Sequence, residues 1–250
     1  MRDSPTAPDM TKKLNVAILI AFGLICIAVG QESPTPNQSS TPEESASPLP
    51  TPEQAPSASP ARSVRISFVP PTLEGTISLG LYDASGKLVR VLHQEAELTE
   101  FTIGADALVT QWDGKNDDGE DSPPGKYHAH GYLVGPLKVE DLGQVPSPAM
   151  ENNAIPSVKV KLIPNPLRND RRSIVELAIG FDSDGSYLKT IDQLPLFTVS
   201  ETPNLVRALI TKKSEKSVNV WQDDGTVVHQ IRVSNVDKMM AFDCGEFELK

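Results

Sequence analysis

Val64, Ile66 and Phe68 alternate with Arg65 and Ser67, and Ile77, Leu79 and Leu81 alternate with Thr76, Ser78 and Gly80. A period of two puts apolar side chains on one face of an extended strand and the small or polar ones on the other. Such runs recur from Ser63 to Lys250, separated by Gly, Pro, Asp and Asn, and no stretch there carries a long apolar stripe at the helical spacing. The pattern predicts an all-β body of short antiparallel strands, arranged as a sandwich or barrel.

Two earlier stretches break the alternation. Lys12 and Lys13 precede an apolar run from Leu14 to Val29, which closes on the small residues Ala28, Val29 and Gly30. Basic start, apolar middle and small-residue end are the order of a secretory signal. Sixteen residues are short for a membrane span, which takes about 20. Residues 1–30 are therefore read as a signal peptide or an N-terminal membrane anchor, starting at Met1 or Met10. Cys26 sits in this run, but Ile25 stands before it where a lipobox has a small residue. Residues 31–62 hold 8 Pro, 7 Ser and 3 Thr and no aromatic residue. Such a segment buries too little apolar area to offset its ordering entropy, so a disordered, partly extended linker is expected.

Composition narrows the function. The formal net charge is −10 over 250 residues. Residues 1–30 carry +1, which leaves −11 on the rest. A nucleic-acid surface needs a basic field, so no nucleic-acid partner is expected, and a membrane only through the N-terminal segment. Two cysteines exclude a disulfide framework. With the leader removed only Cys244 remains, and beside Gly245 it reads as a small half-buried filler.

Three spaced blocks follow the first strands. They are Leu81–Arg90 (LYDASGKLVR), Gln111–Gly119 (QWDGKNDDG) and Pro123–Tyr127 (PPGKY). Asp and Gly in the first block mark a tight turn between strands. Trp112 reads as a core plate, and Pro124 and Gly125 as the turn into a last strand. Together, over residues 64–136, these blocks resemble the FlgD-type Ig-like domain. That resemblance implies a small β-sandwich, found in the flagellar hook-capping protein and as an accessory module of exported bacterial proteins. A leader and a Pro/Ser tether stand before it here, in place of a hook-assembly region. The expected architecture is all-β. A signal or anchor helix and a disordered linker precede an Ig-like β-sandwich at 63–137 and a second antiparallel β domain at 138–250.

The second domain contains an echo. Asp184–Ile191 (DGSYLKTI) and Asp224–Ile231 (DGTVVHQI) both read as an Asp-Gly turn followed by a strand, 40 residues apart. That spacing is near a propeller-blade period, but a closed propeller needs at least four blades. Blade-like units, part of a longer array and plain antiparallel hairpins stay open, with hairpins preferred. Lys159, Lys161 and the Arg168–Arg172 stretch give this domain's start positive charge, read as a solvated loop.

Candidate chemistry is sparse. Asp113, Asn116, Asp117 and Asp118 offer oxygen ligands, and Asp113, Asn116 and Asp118 are the candidate metal ligands among them. The EF-hand spacing fails. With Gly119 as sixth residue, positions one and twelve are Gly114 and Gly125. His128 and His130 share a strand face and form a second candidate ligand pair; two histidines exposed on a solvated face are the plainer expectation. No GxSxG, HExxH, P-loop or GxGxxG is present. No catalytic residue and no cofactor is expected. The expected function is an exported, non-catalytic binding or structural module, with a protein or envelope polymer as partner. The alternatives are a flagellar-hook or secretion-assembly accessory, and a hydrolase with an unrecognised site around Asp184 or Asp224.

Overall fold

The computed structural model describes residues 62–71, 74–146 and 156–250. The leader or anchor at 1–30 and the linker at 31–62, apart from Arg62, lie outside them. The described chain is all-β, with fifteen strands in four antiparallel sheets and a single 3-10 turn at Leu98–Glu100. Among the described residues no helix is long and apolar enough to cross a membrane.

Sheet I joins β1 (Val64–Phe68), β5 (Leu108–Trp112) and β4 (Thr102–Ile103), in that order. Sheet II runs β15 (Met239–Leu249), β6 (Gly125–Val134), β2 (Thr76–Asp83) and β3 (Leu88–Ala96). Sheet III is a meander of β8 (Val158–Lys161), β9 (Ile174–Phe181), β10 (Ser186–Thr190) and β11 (Pro195–Ser200). Sheet IV orders β12 (Arg207–Ser214), β13 (Ser217–Asp223), β14 (Val228–Ser234) and β7 (Lys138–Gln144).

Cross-strand partners share a face, so register assigns each side chain to a layer. Ile77, Leu79 and Leu81 of β2 pair with Leu133, Gly131 and Ala129 of β6. This face of sheet II packs on Ile66, Phe68, Leu108 and Trp112 of sheet I to form the first core. Sheets III and IV enclose the second, built from Val160, Leu177, Leu188, Leu196, Ile210, Val220 and Val233 among others. Tyr132, Val134, Met239 and Ala241, on the opposite face of sheet II, join this second core.

One two-stranded ribbon crosses both bodies. β6 continues through 135–137 into β7, and β14 returns through 235–238 into β15. Val134 pairs with Met239 on one side of the crossing, and Lys138 with Ser234 on the other. Between them Gly135 N–H donates to the Lys238 carbonyl at 2.7 Å. A side chain at 135 would stand 2.8 Å from that carbonyl oxygen, so the crossing needs glycine. The stretch 138–250, taken from sequence as one domain, thus gives its last strand to sheet II. Arg62 draws the two ends of the body together, donating to the Lys250 carbonyl at 2.7 Å.

The echoed segments form hairpins. β9–β10 turns at 182–185 in sheet III, and β13–β14 turns at 224–227 in sheet IV. They lie in different sheets, and Gln222 bridges those sheets by donating to Ser186 and Ser200 Oγ.

Candidate functional site

The motif blocks build frame. Asp83 Oδ1 accepts the N–H of Ser85 (2.8 Å) and of Lys87 (3.0 Å) and the Ser85 hydroxyl, closing the β2–β3 turn. The Ser85 and Lys87 bonds hold the Asp83 carboxyl below its usual range. Trp112 is buried; its Nε1 donates to the Lys115 carbonyl at 2.7 Å, and its ring meets Tyr127 edge-on at 4.8 Å. Tyr127 Oη donates to the Pro123 carbonyl at 2.6 Å.

Asp113, Asn116 and Asp117 of the 113–121 loop serve the backbone. Asp113 Oδ1 accepts Lys115 N–H at 3.1 Å, and Asn116 Oδ1 accepts Glu120 N–H at 2.9 Å. Asp117 Oδ1 accepts Val91 N–H at 3.0 Å, while Asp117 N–H donates to the Val89 carbonyl, so this loop seals part of the outer edge of β3. Asp118 stays exposed. Among the described residues no group of three or more His, Cys, Asp or Glu is placed to hold a metal.

His128 and His130 do share a face, with ring centroids 5.6 Å apart. The expectation that both stand on a solvated face needs correction. Alternation assigns a face but not what covers it, and residues of the sheet III layer cover this one. His130 keeps 15% of its side-chain exposure and stacks on Tyr82 at 3.9 Å. Its Nε2 lies 3.5 Å from Asp192 Oδ2, while His128 Nε2 lies 3.3 Å from Asp243 Oδ2. The two imidazoles thus face different carboxylates.

Around His130 lies a buried polar cluster. Burial lowers the His130 pKa, against the pull of Asp192. Burial pushes the Asp192 carboxyl up, but the adjacent His130 ring and the Thr190 hydroxyl outweigh it and leave the group below its ordinary value. Arg172 donates to Asp170 through Nε (2.8 Å) and Nη2 (2.5 Å), to Tyr132 Oη (3.0 Å) and to the Phe242 carbonyl (3.4 Å). Asp170 is lowered the same way: burial raises it and the Arg172 bonds more than reverse that. Tyr132 is pushed up to about 12 by burial, and Tyr82 is raised by the same cause. The basic stretch is therefore divided. Arg168 and Arg171 are exposed, whereas Arg172 turns inward.

Other candidates carry turns or packing. Asp182 Oδ1 accepts the N–H of Asp184 (2.9 Å) and Gly185 (3.2 Å). Asp224 is held down to about 2 by bonds from Val227 N–H and from the hydroxyl and N–H of Thr226. Burial raises the Cys244 thiol, the opposite of what a nucleophile needs.

Concave surface lies where β3 meets sheet III. One hollow of about 590 Å³ is bounded by Gln94, residues 182–187, Thr198, Glu201 and Pro203. A second, of about 550 Å³, is bounded by residues 86–88, Val91, Asp117, Tyr187, Lys189, Asp192, Gln193 and Pro195. Both include Tyr187. These hollows were not found from sequence, because residues from distant segments line them. The local signal was Tyr187, at the start of the strand that follows the Asp184-Gly185 turn. No family model, no curated protein and no solved structure matches the chain.

Proposed function

We propose that this chain is an exported, non-catalytic binding or structural module of the cell envelope, with sheets I and II forming a FlgD-type Ig-like domain. Residues 1–30 direct export or anchor the chain, and residues 31–62 are its tether. A protein or an envelope polymer is the partner. The observation that carries this reading is the pair of open hollows meeting at Tyr187, lined by segments from both halves of the chain. The reactive side chains nearby are engaged in turns and ion pairs, which fits a surface that binds rather than converts.

The test is fractionation of the full tagged chain, with sequencing of its mature N-terminus and sedimentation against isolated envelopes. An extracytoplasmic chain starting at Gln31, or an intact chain in the membrane pellet, that co-sediments with envelopes is the expected result. A soluble cytosolic chain without affinity for envelopes overturns the reading.

A further inference from the structure

We propose that the groove between β3 and sheet III binds a neutral pyranose oligosaccharide laid across Tyr187, an inference that rests on the module reading above. Tyr187 pairs across the sheet with Gly180. A side chain at 180 would stand 2.6 Å from Tyr187 Cζ, so glycine lets the tyrosine ring lie down over β9 instead of standing off the sheet. The ring thereby forms a flat, half-buried floor common to both hollows. An aromatic face carries partial negative charge and favours the slightly positive C–H groups of a sugar ring.

The walls fit hydroxyl groups. Asp182 is fixed by two turn N–H groups on Oδ1, and among the described residues no partner is bonded to its Oδ2. Gln94 and Glu201 line the same hollow. Charge excludes a polyanion, since Asp182, Asp184 and Glu201 line this hollow and no Lys or Arg does. In the second hollow Lys87 and Lys189 face Asp117 and Asp192, a balanced set. Each hollow falls within the roughly 300–1,000 Å³ of small-ligand sites, and two that share Tyr187 offer room for more than one sugar ring.

A strand-adding peptide fits less well, because it needs free main-chain groups at a sheet edge. Val91 N–H is taken by Asp117, and the Val89 carbonyl accepts Asp117 N–H. Thr198 N–H of β11 is taken by Glu95 at 2.7 Å.

The experiment is calorimetric titration of the full chain with hexasaccharides of β-1,4-linked glucose, N-acetylglucosamine and mannose, repeated on Tyr187→Ala, Tyr187→Phe and Asp182→Asn. At least one hexasaccharide binds. Tyr187→Ala weakens that binding by about tenfold, the size of one lost ring contact. Tyr187→Phe keeps the affinity, and an unchanged urea midpoint in Tyr187→Ala guards against misfolding as the cause of its loss. Asp182→Asn gives a second, milder loss. Binding to none of the three probes overturns the proposal, as does binding that Tyr187→Ala leaves unchanged. Binding of a proline-rich decapeptide in place of the sugars, abolished by Tyr187→Ala, also overturns it. Envelope sedimentation of wild type and Tyr187→Ala separates the two readings. Equal co-sedimentation without sugar binding removes the saccharide and leaves the module.

Discussion

The core between sheets I and II is rich in aromatic rings, and the core between sheets III and IV is aliphatic apart from Tyr132. In the first, Phe68 stacks on Phe242 at 5.1 Å, meets Phe101 edge-on at 5.5 Å, and shares the interior with Trp112 and Tyr127. In the second, Val, Leu and Ile dominate, and a buried amide, Gln222, ties the two sheets through Ser186 and Ser200. A few large rings with polar tips fix the first core, because Trp112 Nε1 and Tyr127 Oη each reach a carbonyl in a tight loop. The second core relies on many interdigitated aliphatic side chains, among which volume-conserving swaps are tolerated best. The same ribbon serves both. On β15, Phe242 enters the first core and its neighbour Ala241 the second.

The largest effect tests that sharing. Phe242→Ala removes the ring stacked on Phe68 and should cost about 3–5 kcal/mol, read from the urea midpoint. The loss should appear equally in Trp112 and Trp221 fluorescence, although Trp221 lies in sheet IV. Loss confined to Trp112 would mean that the cores are separable.

Next in size is the joint between the halves. Arg172→Met leaves Asp170 buried without its guanidinium and should cost about 3 kcal/mol, less than that if Asp170 takes up a proton. Protonation would show as a smaller loss at low pH than at neutral pH. Gln222→Leu then sharpens the contrast from the aliphatic side. It strands the buried Ser186 hydroxyl, whereas half-buried Ser200 keeps Thr202, and should cost about 1–2 kcal/mol in the same melts.

The smallest effect is pH dependence. Burial lowers His130, so below about pH 6.5 the unfolded chain takes up a proton that the folded chain resists. The stability tied to neutral His130 is complete above that value and is lost as pH falls through the window beneath it. The carboxyls of Asp192 and Asp170, also lowered, act in the same direction at more acidic pH. The urea midpoint should therefore fall between pH 7 and pH 5, and His130→Gln should shrink that fall. His93, lowered by burial as well, leaves a remainder.

The contrast between the cores also explains what could be read in advance. Turn chemistry is residue-specific, so Asp83, Trp112 and Tyr127 announced the first hairpins, and Trp112 sits in the core as its context implied. Alternation gave the strands and the two faces of β6. It could not say that sheet III would cover His130, because that contact joins residues 62 positions apart. The return of β15 to sheet II was equally hidden, since Met239–Leu249 alternates like any edge or central strand. Arg172 looked like its exposed neighbours Arg168 and Arg171 until Asp170 and Tyr132 were seen beside it. The groove floor depended on Gly180 and Tyr187 meeting across a hairpin, a pairing set by register rather than by either local sequence.

The most direct test of one body held by one ribbon is native-state hydrogen exchange at increasing urea. Amides of β2 and β6, in the aromatic half, and of β9 and β13, in the aliphatic half, should merge into a single opening with a common free energy and urea slope. A separate, lower-energy opening of β9 and β13 while β2 and β6 stay protected would contradict the account.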